Sequence, residues 1–380
     1  MRSIAPTIVR CILALALVAA TARCGKAQGP SSLDPGNEPP AADPFPPMAN
    51  DHAPGASAAA RAAAAGLARG VNFGNMLEAP SEGAWGLWVR DEYVDAAASA
   101  GFKSVRLPVR WSNHTAPGSP YGVDPAFMAH VDSIVGKLLD KGLYVVLNMH
   151  HYRALDGDTP DAGDVTVDPA KLDERFLTIW QQIAQRFRDR GDHLVFELYN
   201  EPHGRLTAAK WNDLAARALG VVRKTNPTRV VMIGPVSWNS ADALASLRLP
   251  NDANLIVTVH NYSPFNFTHQ GAEWVSPVLP LGVTCCSAAQ QNELAAPLET
   301  ARKWAAANDY PVYLGEFGAY QKADMTSRVR FTRLMRDAAE SRGITWGYWE
   351  MAAGFGVYDP AAHTFRVGLR DALLGSQPVP

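Results

Sequence analysis

Two glutamates stand in settings suited to cutting a bond between sugars. Glu201 lies in the run Leu198-Tyr199-Asn200-Glu201-Pro202-His203-Gly204, and Glu316 in Val312-Tyr313-Leu314-Gly315-Glu316-Phe317-Gly318. Each closes an apolar stretch rich in β-branched and aromatic residues, the composition of a buried strand. Glycoside hydrolysis needs such a pair: one carboxyl protonates the departing oxygen while the other attacks or activates water. The two runs are distant in the chain, so only a fold that gathers strand ends can unite them. Glu197 falls on the same side of its strand as Glu201, but deeper, and reads as a structural carboxylate paired with an arginine. His150 and His151 are adjacent, and neighbouring strand residues point to opposite faces, so they are not read as joint ligands of one ion. Asp156, Asp158, Asp161 and Asp164 read as a solvated acidic loop in preference to a calcium site.

The elements that must position these residues alternate regularly. Strands are predicted at Gly70–Phe73, Ser104–Val109, Tyr144–Met149, Leu194–Tyr199, Val230–Ile233, Leu255–His260, Val312–Phe317 and Ile344–Trp349. Between them lie segments of helical period: Trp88–Ala100, Ala126–Asp140, Leu172–Arg190, Ala208–Lys224, a short one near Ala241–Leu247, Gln290–Asn308 and Ser327–Arg342, with Leu369–Leu374 last. Strand–helix alternation implies a parallel sheet. Eight such repeats imply an α/β fold of the closed (β/α)8 TIM barrel type, a single domain over residues 67–380. No glycine-rich nucleotide fingerprint follows the first strand, which counts against an open doubly wound sheet. Polar residues cluster at the C-terminal ends of the strands, where barrel enzymes place their chemistry: Asn72 and Asn75, Arg106, Asn148 with His150 and His151, Asn200 with Glu201, His260 with Tyr262, Glu316, and Trp349.

The 380 residues are 47% hydrophobic and 19% charged, with a formal net charge of −2. That balance, without a basic stripe, excludes non-specific nucleic-acid binding. Arg2 and Arg10 precede an apolar run from Cys11 to Ala20, and Ala20-Thr21-Ala22 offers a small-residue cleavage site. Residues 1–22 therefore read as an export signal, too short for a membrane span, which makes the protein secreted or periplasmic. A lipid anchor at Cys24 is the second reading, and Arg23 fits it poorly. Residues 23–66, rich in proline and alanine without an apolar period, are expected to form a disordered linker whose Ala-rich end can be helical. The adjacent Cys285 and Cys286 are not expected to pair with each other. No metal-ligand spacing is evident, so neither metal nor cofactor is expected, and the chain reads as a monomer.

Taken in order, Arg106, His150-His151, Asn200-Glu201-Pro202, His260-x-Tyr262, Glu316 and Trp349 resemble glycoside hydrolase family 5, the retaining cellulases and mannanases. The resemblance covers roughly residues 67–375. Three longer stretches, Gly74-Asn75-Met76-Leu77-Glu78-Ala79-Pro80, the run from Phe267 to Trp274, and Gly354-Phe355-Gly356-Val357-Tyr358, resemble the subfamily 25 type, bacterial endoglucanases that also accept mannans. The resemblance implies a retaining endo-β-1,4-glycanase acting on cellulose-type polysaccharide or oligosaccharide, with mannan as a second substrate. A dedicated β-mannanase or xyloglucan-type hydrolase is the alternative enzyme. A non-catalytic carbohydrate-binding barrel is the alternative of another class, and the presence of both glutamates stands against it. Carried onto this chain, the resemblance makes Glu201 the acid/base and Glu316 the nucleophile. Arg106 would keep Glu316 ionised, Tyr262 would donate to it, His260 would tune Glu201, and Asn200 would donate to a sugar 2-OH. His150, His151, Asn75, Glu78 and His269 become substrate contacts, and Trp274 and Trp349 platforms for a pyranose face.

Overall fold

Strand register decides where the polar side chains of this chain meet. The computed structural model describes residues 43–375. The strands are β1 Arg69–Asn72, β2 Ser104–Leu107, β3 Tyr144–Asn148, β4 Leu194–Glu197, β5 Val231–Ile233, β6 Leu255–His260, β7 Val312–Glu316 and β8 Thr345–Tyr348. Each pairs in parallel with the next, and β8 returns to β1, so the sheet closes into the expected eight-stranded barrel. Most strands end one or two residues sooner than predicted, and the chain leaves the ladder before the polar residues of the barrel mouth. Register sets Asn72 opposite Arg106, Asn148 opposite Glu197, and His260 opposite Glu316. A bulge between Val259 and His260 shifts the last of these pairs. Bulges re-aim side chains in this way at barrel rims.

The barrel is wrapped by α2 Asp91–Ala100, α3 Pro125–Asp140, α4 Leu172–Arg186, α5 Ala208–Arg223, α6 Ala288–Asn308, α7 Met325–Glu340 and α8 Val367–Leu374, with α1 Ala58–Leu67 preceding β1. Their ends follow local chemistry. Asp124 caps α3 ahead of a first-turn proline, Thr207 caps α5, Asp324 caps α7, and Ser287 with Gln290 forms a capping box on α6. The short segment between β5 and β6 is a 3₁₀ turn, Ala241–Ser246, in place of a full helix. No helix among the described residues is long and apolar enough to cross a membrane.

Two expectations are corrected here. The described part of the supposed linker is ordered against the barrel floor. Ala60, Ala63, Ala64 and Leu67 of α1 pack on Val146, Val195, Met232, Ile256 and Tyr313, so the helix closes the barrel's N-terminal end. The strap before it has no apolar period because backbone hydrogen bonds and prolines order it. Met48 N donates to Ala216 O, Asn251 N to Ala49 O, Ala56 N to Asp309 O and Ser57 N to Ala253 O. Phe45 and Met48 supply its apolar anchors. The signal, the lipid site and the linker up to residue 42 lie outside the described residues. Second, Cys285 and Cys286 are joined as a vicinal disulfide, across a cis peptide.

Candidate active site

At the C-terminal ends of the strands the barrel opens into a cleft of about 1240 Å³. Of the residues singled out from sequence, Asn75, Glu78, His150, His151, Glu201, His260, Tyr262, His269, Trp274, Glu316 and Trp349 line it. Arg106 and Asn200 lie beneath, buried. A second cavity, about 710 Å³ at the barrel floor, is bordered by arginines already paired with carboxylates: Arg61 with Asp309, Arg69 with Glu340, and Arg302 and Arg342 with Glu299.

Arg106 organises the floor of the cleft. Its five N–H groups donate to Glu197 Oε2 (2.6 Å) and Oε1 (2.9 Å), Asn72 Oδ1 (2.9 Å), Glu316 Oε1 (2.7 Å) and Asn200 Oδ1 (2.7 Å). Glu197 is thus the arginine-paired structural carboxylate, fully buried. Taking the Asn200 carbonyl oxygen leaves that side chain its NH₂ as the donor end. Tyr262 Oη donates to Glu316 Oε2 at 2.9 Å. Burial, with the neighbouring Glu201 carboxyl, raises the Glu316 carboxyl above its ordinary value, while Arg106 and the Tyr262 hydrogen bond oppose that rise.

Glu201 stands differently. It follows Asn200 at φ +49°, a left-handed conformation rare for a side chain of its size. Its Oε1 meets His260 Nδ1 at 2.7 Å. The Asn239 amide, as oriented, donates to His260 Nε2 at 3.4 Å, which assigns the ring proton to Nδ1. Burial pushes Glu201 up to about 7, against the pull of Arg106. Burial also brings His260 down to about 4, so its ring is neutral when it meets Glu201. His260 Nδ1 is 3.7 Å from Glu316 Oε2. Facing ligand atoms of Glu201, His260 and Glu316 all lie within 4.8 Å of one another. Three such groups could share a cation, a set no sequence spacing revealed. Here Arg106 and Tyr262 already engage both oxygens of Glu316.

The two adjacent histidines both line the cleft, because β3 ends at Asn148 and strand alternation no longer applies to them. Burial holds His150 far below its ordinary value and His151 down at about 3, so both are neutral. The ring of His150 stacks near Trp349, centroids 5.6 Å apart. Glu78 is spent on its own loop, accepting from the backbone N–H of Asn75 and of Met76, and burial lifts it to about 8. His269 lies between Phe265 and Phe355, and Trp274 projects at the rim, 59% exposed. The acidic loop is not a solvated cluster: Arg110 pairs with Asp161 and Asp164, while Asp156 accepts from Tyr199 and faces His203.

Sequence reasoning missed several groups. Glu350, directly after Trp349, is buried and accepts from the N–H groups of Ala352, Ala353 and Phe355, fixing the loop after β8. It stands two residues past the end of β8, at a strand-end position of the kind the sequence marks as informative. Trp85, Trp238 and Phe265 are exposed aromatics on the cleft wall. Trp238 sits on a turn in which Ser237, Trp238 and Asn239 all have φ between 56° and 60°. The Gly234-Pro235 break after β5 was its only sequence cue.

The arrangement sets two carboxyls with different partners in one open cleft, Glu201 beside His260 and Glu316 beside Arg106 and Tyr262. The pattern of the family described as cellulase (glycosyl hydrolase family 5) matches residues 69–354. Endoglucanase H of Acetivibrio thermocellus is 36% identical over 315 residues, 81% of this chain and 33% of that protein. The chain therefore spans about a third of that relative's length. A hyperthermophilic endo-β-1,4-glucanase solved with substrate is 42% identical, covering 83% of this chain and 99% of that one with a TM-score of 0.79. Thermotoga maritima Cel5A solved with a mannotriose substrate is also 42% identical, covering 82% and 99%, with a TM-score of 0.78.

Proposed function

The chain belongs to glycosyl hydrolase family 5, the cellulases, and on that premise we propose that it is a retaining endo-β-1,4-glucanase in which Glu316 is the nucleophile and Glu201 the acid/base. The observation that carries the reading is the spacing of the two carboxyls, whose facing oxygens lie within 4.8 Å. Double displacement uses carboxyls roughly 5–5.5 Å apart, whereas inversion needs roughly 6.5–9.5 Å to admit a water. Their environments divide the roles. Glu316, held by Arg106 and Tyr262, attacks the anomeric carbon from below. Glu201, near 7 and beside a neutral His260, keeps a proton for the departing oxygen and later takes one from water. Asn200 offers its NH₂ to the sugar 2-OH, and Trp349 a face for the ring in the cleaving position.

Mannan is the second substrate in this reading, supported by the mannotriose complex of the Thermotoga maritima relative and by the subfamily 25 resemblance of the loops after β1, β6 and β8. Export is part of the proposal, supported by the basic, apolar and small-residue succession of residues 2–22. The test of roles is chemical rescue. Glu201→Ala should accumulate the glycosyl-enzyme from an activated aryl cellobioside, and azide should release it as the β-azide. Azide rescue of Glu316→Ala to an α-azide, without rescue of Glu201→Ala, would reverse the assignment. Parallel reducing-end assays on barley β-glucan and galactomannan decide the substrate.

A further inference from the structure

His203 is not needed by the chemistry above, yet its surroundings are specific. Nδ1 lies 2.7 Å from the main-chain oxygen of Glu201 and 3.7 Å from Asp156 Oδ1, and Nε2 lies 3.4 Å from Asp158 Oδ2. A carbonyl oxygen and a carboxylate only accept, so each nitrogen is satisfied only as N–H, and the ring that fits is imidazolium. Its face lies on Trp238, centroids 4.7 Å apart and planes 21° from parallel, the arrangement in which a cation meets a π face. Trp238 needs such support. It is 57% exposed and sits in the middle of three left-handed residues, a conformation that persists only where its surroundings hold it.

We propose that His203, as an imidazolium clamped between Asp158 and the Glu201 carbonyl, is a positioning residue that holds the Trp238 plate on the leaving-group side of the cleft. Its charge then governs how well the departing chain is bound, more than how fast the bond breaks. The side follows from Glu201 being the acid, so the inference rests on that reading. Other titratable groups face the ring. Asp156, pushed up to about 7 by burial, and Asp158 come from the loop after β3. Tyr199, which donates to Asp156, and Glu201 come from the end of β4. His151, neutral, lies within electrostatic reach. Burial works against the charge on His203, but Asp156, the Glu201 carbonyl and Asp158 outweigh it and raise the ring above its ordinary value of 6.5. The charge is therefore present at low pH and lost as pH rises through that raised value.

The test compares cellotetraose, whose reducing half reaches Trp238, with phenyl cellobioside, which stops short of it. In the wild type the ratio of the two KM values should climb with pH as His203 deprotonates, by about fivefold for a cation–π contact of ordinary strength. H203Q should show the high ratio at every pH, and D158N should move the climb to lower pH. In a W238A background H203Q should change the ratio no further. Ring ¹⁵N shifts of His203 read the charge without any substrate. A flat ratio in the wild type, an unshifted climb in D158N, or a ring with one unprotonated nitrogen at pH 6 would each overturn the proposal. A wild type that cleaves neither substrate would sink the glucanase reading instead, while the ring shifts still decide the charge.

Discussion

If Glu201 is the acid, the alkaline limb of activity should depend on the leaving group. At its ordinary value of 4.5 this carboxyl would carry a proton in only about 0.3% of molecules at pH 7. At about 7 it carries one in half of them. The difference in acid form is roughly 150-fold, or about 3 kcal/mol, and burial at the cleft supplies it. Above that value kcat/KM for a poor leaving group, such as phenyl cellobioside, should fall tenfold per pH unit and stand about 100-fold down at pH 9. Dinitrophenyl cellobioside has an aglycone of similar size that departs without a proton. Its kcat/KM, which reports events up to formation of the glycosyl-enzyme, should stay level across the same range. Other groups titrate nearby: Asp156 and Glu350 near 7, Glu78 near 8. Their effects would reach both substrates alike, so the difference between the two profiles isolates Glu201. Glu201→Gln should abolish the limb for phenyl cellobioside and leave the dinitrophenyl reaction fast. An alkaline limb shared by both substrates, or one that survives in Glu201→Gln, would refute the reasoning.

If Glu316 is the nucleophile, the acid limb should belong to it, since its carboxyl must be ionised to attack. Tyr262→Phe removes a hydrogen bond that favours the ionised form, so the acid limb should move to higher pH on both aryl cellobiosides; movement to lower pH would contradict the geometry. Trp274→Ala should weaken use of β-glucan more than use of an aryl cellobioside, since a rim platform contributes binding that a short substrate never reaches; equal losses would make it a packing residue. Prolonged chelation should leave activity intact, because Arg106 and Tyr262 already engage the Glu316 oxygens; a loss restored by a divalent cation would make Glu201, His260 and Glu316 a metal site. Leu67→Ala should lower stability in urea by about 2–5 kcal/mol, as for a fully buried leucine; a change under about 0.5 kcal/mol, the scale of surface substitutions, would deny that α1 seals the barrel floor.

What could be read in advance was periodic, and what could not was not. The strand positions were legible because eight buried parallel strands are continuous apolar runs between helices of clear amphipathic period. The residues at their C-terminal ends followed at once, since the barrel assigns those ends to one mouth. The strap around Phe45 and Met48 was hidden because it is ordered by main-chain hydrogen bonds to distant loops, which leave no pattern in local composition. Trp238 was hidden because its exposure depends on three consecutive left-handed residues, none of them glycine. The bulge at His260 was equally silent, yet it is what turns that ring toward Glu201 and Glu316.

The division of labour between the carboxyls comes down to who receives the one arginine. Glu197, Glu201 and Glu316 meet within hydrogen-bonding distance of Arg106 or one ring beyond it. A buried carboxylate without a cation is costly and takes up a proton instead. Glu197 holds two of the five guanidinium N–H groups and anchors the arginine. Glu316 holds one and adds the Tyr262 hydroxyl, contacts that favour its ionised form yet leave it less tightly bound than Glu197. Glu201 receives none and faces a histidine that burial keeps neutral. It is therefore where a proton stays near neutral pH. The same ordering argues against Glu197, which strand parity alone would equally suggest, as acid or nucleophile. Releasing it to react would leave Arg106 without its bidentate partner and loosen Asn72, Asn200 and Glu316 together.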